Sequence, residues 1–169
     1  MIRLADVEDA AALDHFFGQL DRETGFMLYE VGERPSNIEG QRQRLEAMAA
    51  VPNQAMWLLV LAGEVQGFAV LIGGGLARNR HCAQVVMGLR SSARGQGWGE
   101  RLLRTLIASA PDCGISRLEL GVMAHNEAAH SLYRKCGFLD EGLRRQAYRL
   151  DEGYVDEISM GLLLPPTAP

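Results

Sequence analysis

The chain has 169 residues, 47% of them apolar and 22% charged, with a formal net charge of −4. These values fit one folded domain with a full core and argue against a surface that coats nucleic acid. No apolar run reaches the ~18 residues of a membrane span, and the first ten residues are acidic where a leader is basic. The three cysteines, Cys82, Cys113 and Cys136, have neither metal-ligand nor disulfide spacing, so a cytoplasmic, reduced, metal-free protein is expected.

Residues 2–5 predict a short strand, and Asp6 followed by Asp9 predicts a capped helix running to Leu20. Residues 21–35 read as a loop. "SNIE" at 36–39 has the capping-box pattern and predicts a second helix from Asn37 to about Ala50, closed by Pro52 and Asn53. The apolar runs at 55–62 and 65–74, joined by Gly63-Glu64, predict a β-hairpin. A turn at Gly73-Gly74-Gly75 leads to a strand at 82–89, and a glycine-rich stretch then opens a helix to about Ala110. Pro111 and Gly114 break the chain before a strand at 116–122. A helix at 126–136 ends at Gly137, and two strands follow with a turn near Asp151–Gly153. The expected organisation is a single domain over 1–164 with a frayed tail at 165–169. The order β-α-α-β-β-β-α-β-α-β-β predicts an α/β (α+β) fold with a mixed sheet.

"RGQGWG" at 94–99 spends three glycines at a helix entrance. A nucleotide P-loop needs a Gly-Lys pair, and none occurs in the chain. A dinucleotide fingerprint needs a third glycine where Glu100 stands, and Glu119, at the distance of its acidic partner, falls mid-strand. What remains is a nest of N–H groups at a helix N-terminus, which can hold a pyrophosphate without a lysine. Arg94 either adds a charged contact or braces the turn. On the later helix, Asn126, Ala129 and Tyr133 stand at i, i+3 and i+7 and share one face. An amide, a small residue and a phenol on one stripe suit a long polar ligand, although a capping Asn126 and a core Tyr133 would give the same pattern.

Together, "RGQGWG" and "NEAAHSLYRKCGF" resemble the acetyl-CoA-binding core of the GNAT superfamily of N-acetyltransferases. Arg94, Gly97 and Gly99 fit its first motif; Asn126, Ala129, Leu132, Tyr133, Lys135, Gly137 and Phe138 fit its second without a gap. The resemblance implies a sheet splayed between its fourth and fifth strands, with acetyl-CoA as co-substrate in the opening. Gly88, inside the fourth strand, agrees with a bulge or close backbone approach there. By the same resemblance, the main chain of Met87 and Leu89 pairs with the pantetheine arm. The amides of Gly95, Gln96, Gly97, Trp98, Gly99 and Glu100 hold the pyrophosphate, with Arg94 beside them. Asn126 contacts the arm, Ala129 permits its approach, and Tyr133 lies beside the sulfur as the acid for the departing thiolate.

The implied reaction is direct attack of a primary amine on the thioester in a ternary complex, with an N–H near Leu89 as oxyanion donor. Family members often carry a glutamate on the fourth strand, but "CAQVVMGL" offers only Gln84. Glu33 and His81 are therefore the candidate bases, with Glu30, Glu119 or a water chain as alternatives. Cys136 has no placed partner base and is not a nucleophile. Phe26, Tyr29, Tyr148 and Tyr154 are candidate walls of the acceptor site, and Glu30, Glu33 or Asp156 could meet an ammonium. The expected acceptor is a small molecule or amino acid; a protein N-terminus and a non-catalytic acyl-CoA sensor are the alternatives. A homodimer is implied by the resemblance alone.

Overall fold

The computed structural model describes residues 1–165, so most of the predicted frayed tail lies outside the described residues. The elements are β1 (Ile2–Leu4), α1 (Ala10–Glu23), α2 (Ile38–Ala49), β2 (Gln54–Leu61), β3 (Glu64–Gly73), β4 (Cys82–Leu89), α3 (Trp98–Ser109), β5 (Arg117–Met123), α4 (Glu127–Lys135), β6 (Leu139–Leu150) and β7 (Gly153–Leu163). Their order is the predicted one. The seven strands form one mixed sheet in the order β1-β2-β3-β4-β5-β7-β6, in which only β4 and β5 run parallel. No described helix is long and apolar enough to cross a membrane.

Strand alternation sorts the core into two layers. On one face, Val85, Leu118, Leu120 and Val122 pack with Leu102, Leu103 and Leu106 of α3 and with Tyr133 of α4. On the other, Leu58, Phe68 and Val70 pack with Leu13, Phe16, Phe17 and Leu20 of α1. Phe68 meets the Phe17 ring edge-on, 5.0 Å between centroids.

Several boundaries differ from the sequence reading for identifiable reasons. Asp6 does cap, but the turn it caps is a 3-10 turn at Val7–Asp9, and α1 begins one step later. Helix α1 then runs past Leu20 to Glu23, into the expected loop. Asp21 and Glu23 hold ion pairs to Arg34 (2.6 Å) and Arg90 (2.7 Å) that no local pattern reveals. The cap of α2 is Asn37 rather than Ser36. Asn37 Oδ1 accepts the Gly40 N–H at 2.8 Å, while the Ser36 hydroxyl donates to Asp14 at 2.6 Å. The β2–β3 turn sits one residue early, with Ala62 (φ +51°) and Gly63 (φ +82°) as its left-handed pair.

The expected opening between β4 and β5 is present. They pair only at Cys82–Arg117, Ala83–Leu118 and Gln84–Glu119, and the rest of β4 has no partner on that side. The bulge anticipated at Gly88 is absent, since the β3–β4 register continues unbroken from Gly67–Leu89 to Gly73–Ala83. Gly88 serves close approach instead. A Cβ there would stand 2.9 Å from Leu20 Cδ2 and 3.1 Å from Phe68 Cε1.

Candidate active site

The register of β4 decides which of its backbone groups are free. The Gly74 N–H bonds the Cys82 carbonyl (3.0 Å), and the Arg90 N–H bonds the Gln66 carbonyl (2.9 Å). In an antiparallel ladder such bonds fall on alternate residues, so the even positions between them face β3. The odd positions point toward β5: the Gln84–Glu119 pair still engages the Val85 N–H, and beyond it the N–H and C=O groups of Met87 and Leu89 face the opening. One of these is occupied: Arg94 Nε donates to the Leu89 carbonyl at 3.0 Å. Arg94 thus braces the turn, and the Leu89 N–H stays available.

The glycine-rich turn follows at the end of this edge. Gly95 (φ +72°) and Gly97 (φ +79°) are both left-handed, and Gly97 is the N-cap of α3. The first bond of α3 runs from the Arg101 N–H to the Gly97 carbonyl (3.1 Å), so the N–H groups of Trp98, Gly99 and Glu100 precede the ladder. They carry the partial positive charge of the helix start. Gln96 is turned away from them, its Nε2 donating to the Ser92 carbonyl (2.7 Å). A Cβ on Gly99 would stand 3.3 Å from Leu132 Cδ2, so the turn lies directly against α4. Lys135 (2.6 Å) and Arg104 (3.0 Å) bind the Glu100 carboxylate, which ties the two helices and offsets the negative charge beside the nest. These bonds, that of Lys135 first, hold the Glu100 carboxyl below the usual carboxylate range.

Helix α4 supplies the far side of the slot. Asn126 caps it, Oδ1 accepting the Ala129 N–H at 3.3 Å, and its amide NH₂ remains a donor. Tyr133 is buried, and burial pushes its phenol up to about 12, so it is a protonated donor at neutral pH. Burial also raises the Cys136 thiol, in keeping with a packing role.

Met87, Leu89, Arg94, Gly95, Gly97, Gly99, Glu100, Asn126, Ala129 and Tyr133 line one cleft of about 830 Å³ that passes through the opening to the α1 face of the sheet, whereas Gln96 and Trp98 are not among its lining residues. There Phe26, Tyr29, Arg34, Arg44 and Tyr148 line it, as does a carboxylate absent from the sequence reading, Glu157. Glu157 is only 6% exposed. Burial and its bond to Glu157 push the Tyr148 phenol up to about 12. No strand periodicity announces Glu157: the apolar phase of β7 is Ile158, Met160 and Leu162, and Glu157 stands with Val155 and Ser159 on the other face, where an acid reads as ordinary.

Other candidates fall elsewhere. His81 precedes the N-terminal end of β4, where its carbonyl accepts the Ser116 and Arg117 N–H groups, at the paired end of the sheet away from the opening. Glu33 caps its own loop by accepting the Glu30 N–H (2.9 Å), and both residues line a neighbouring groove rather than the cleft. Glu119 sits where β4 and β5 are still paired. Asp156 is engaged by the Gln146 N–H (2.8 Å), and Tyr154 is exposed on β7. The slot residues are brought together; the two candidate bases are not.

Comparison with known proteins agrees with this arrangement. The sequence pattern of the Acetyltransferase (GNAT) family matches residues 19–138. An acetyltransferase of the GNAT family from Streptococcus pneumoniae superposes with a TM-score of 0.93 at 30% identity, over 98% of this chain and 99% of that one. A ribosomal-protein bS18 alanine N-acetyltransferase of Escherichia coli is 40% identical over 67 residues, 40% of this chain and 45% of the relative. The chain spans about half the length of the curated relatives it matches. A Salmonella typhimurium protein described as a putative acetyltransferase with its cofactor acetyl-CoA shares the fold, with a TM-score of 0.87 at 22% identity over 100% of this chain and 96% of that one.

Proposed function

The chain belongs to the GNAT family of acetyltransferases, and from that premise we propose that it moves the acetyl group of acetyl-CoA onto a primary amine by direct attack in a ternary complex. The observation that carries this reading is the single cleft joining the free edge of β4, the α3 nest and the buried Tyr133. The residues present fit the co-substrate at each of its parts. The N–H groups of Gly95 to Glu100 take the pyrophosphate, with Arg94 bracing the turn that presents them. The main chain of Met87 pairs with the amide arm, and Asn126 donates to it while Ala129 leaves it room. Bound acetyl-CoA supplies an activated acyl thioester.

The Leu89 N–H is aimed into the opening, where it can stabilise charge on the acyl oxygen. Tyr133 holds the proton that the departing sulfur needs. The acceptor enters from the α1 face, between Phe26, Tyr29 and Tyr148. It is a small amine or amino acid, in keeping with a cleft rather than an extended groove. A domain spanning 1–164 that acts as a cytoplasmic homodimer completes the reading; the three free thiols support a reducing compartment.

The test is release of free thiol from acetyl-CoA across a panel of amino acids, polyamines and short peptides. Saturable turnover with one class of free amine is expected. Turnover confined to peptide N-termini would move the acceptor to proteins. Saturable acetyl-CoA binding with no turnover on any amine would make the chain a sensor.

A further inference from the structure

Two carboxylates are buried among the described residues, and they are treated very differently. Asp21 is neutralised by a largely buried cation: Arg34, 14% exposed, donates to both its oxygens at 2.6 and 3.0 Å, and the guanidinium lies against the Phe17 and Tyr29 rings. Glu157 faces the cleft instead. Arg144 Nη1 donates to its Oε1 at 2.6 Å and the Tyr148 hydroxyl donates to its Oε2. Arg144 is itself 65% exposed, so its charge is partly screened by solvent. A carboxylate accepts about four hydrogen bonds, and these two partners leave capacity on each oxygen.

The space Glu157 occupies belongs geometrically to another strand. In the antiparallel β5–β7 pair, Glu157 stands opposite Met123 and diagonal to Gly121. Any side chain at 121 would overlap the Glu157 carboxyl group, which therefore lies over the backbone of β5 at the opening. Burying a charged group in a cleft, with one solvent-exposed cation beside it, is costly and has no need in the sheet, where an apolar residue would pack better. We propose that Glu157, delivered from β7 into the gap left by Gly121, is the catalytic residue that receives the acceptor's ammonium and takes its proton. Arg144 and Tyr148 are positioning residues that fix the carboxylate toward the opening.

This inference rests on the acetyl-transfer reading, and it gives that reading its base. Tyr133 lies on the α4 face and Glu157 on the α1 face, both lining the same cleft. The ammonium loses one proton to Glu157, and its lone pair forms the N–C bond as the C–S bond breaks. Tyr133 gives a proton to the sulfur, and the nitrogen's second proton makes up that loss. One proton in total passes from Glu157 to solvent. The charged and titratable groups facing Glu157 are Arg144 and Tyr148 from β6; Gly121 and Met123 of β5 do not titrate, and Asp156 is engaged by the Gln146 N–H. Arg34 and Arg44 line the cleft from the α1–α2 side.

The experiment compares wild type with Glu157→Gln, Glu157→Ala and Gly121→Ala, using an alkylamine acceptor and its weakly basic fluorinated analogue. Calorimetry with acetyl-CoA runs in parallel and reports whether the slot is intact. Glu157→Gln should lower kcat/KM about 100-fold or more for the alkylamine, within the range of general-base catalysis, with acetyl-CoA affinity unchanged within about twofold. The deficit should shrink at least tenfold for the weakly basic amine, which is already neutral, and with the alkylamine the Glu157→Gln rate should climb with pH toward the amine's own ionisation, because only the free amine can then react. Gly121→Ala, by displacing the carboxylate, should reproduce the Glu157→Ala deficit, and the two together should not add. A deficit equal for both amines, or a Glu157→Gln pH profile parallel to wild type, would overturn the assignment and leave acetyl transfer standing. Absence of wild-type thiol release with any amine would overturn both.

Discussion

Tyr133 and Asn126 are each two things at once, and only contacts separate the roles. Asn126 spends its oxygen on the α4 cap, and its NH₂ remains a donor at the cleft. Tyr133 packs edge-on against Phe138, 6.0 Å between ring centroids, while its burial keeps the phenol protonated. Tyr133→Phe should therefore lower kcat about 100-fold and leave acetyl-CoA affinity within twofold. Thiol-release kinetics beside calorimetric titration check this, and an unaltered kcat would remove the acid role. The candidate bases read from the sequence lie outside the cleft for a related reason. Glu33 and His81 are polar residues near apolar segments, but one caps a loop and the other borders the closed end of the sheet. A base is defined by what it faces, and facing is a three-dimensional property.

At the scale of elements, the α3 entrance was fully legible because its signal is local. Left-handed Gly95 and Gly97 turn the chain so that successive N–H groups converge, and φ in that range excludes branched side chains. Gly97→Val should reduce acetyl-CoA affinity at least tenfold while far-ultraviolet circular dichroism keeps its helical signal; wild-type affinity in calorimetry would refute the cradle. The α1 entrance makes a different prediction. Asp9 accepts both Arg3 guanidinium nitrogens at 2.7 Å and the Asp6 N–H at 2.7 Å. The Arg3 hydrogen bonds, above all, hold its carboxyl below the usual range. A depressed folded value means stability that is present above about pH 4 and lost as pH falls through that value. Asp9→Asn should cost about 1–2 kcal/mol in urea denaturation at pH 7, a cap-sized loss, and the difference should vanish in strong acid. A constant difference across pH would assign the loss to packing.

For the whole molecule, the decisive feature is a sheet that stops being a sheet. Beyond Gln84, β4 keeps its β3 partner and loses β5, so alternate amides face an open cleft. Amide exchange should be fast at Met87 and Leu89 in the free protein and slow at Val86 and Gly88, which bond to β3. Adding acetyl-CoA should protect Met87 and Leu89. Hydrogen exchange read by NMR checks both statements, and equal protection along β4 would mean that the strand is satisfied by another route.

Sequence by itself determined the element order, the helix-start nest and the α4 stripe, because each depends on residues within about one or two turns of one another. The family resemblance then supplied the splay. Tertiary structure alone decided the rest. Helix α1 extends to Glu23 because Arg34 and Arg90 reach it from elsewhere in the chain. Gly88 meets Leu20 and Phe68 rather than forming a bulge. Gly121 makes room for a carboxylate borne on β7, far away in the chain. Such pairings join segments whose separation carries no periodicity, so no spacing rule announces them. The donor end of the cleft is written in short motifs; the acceptor end is assembled from strands that meet only in the folded sheet.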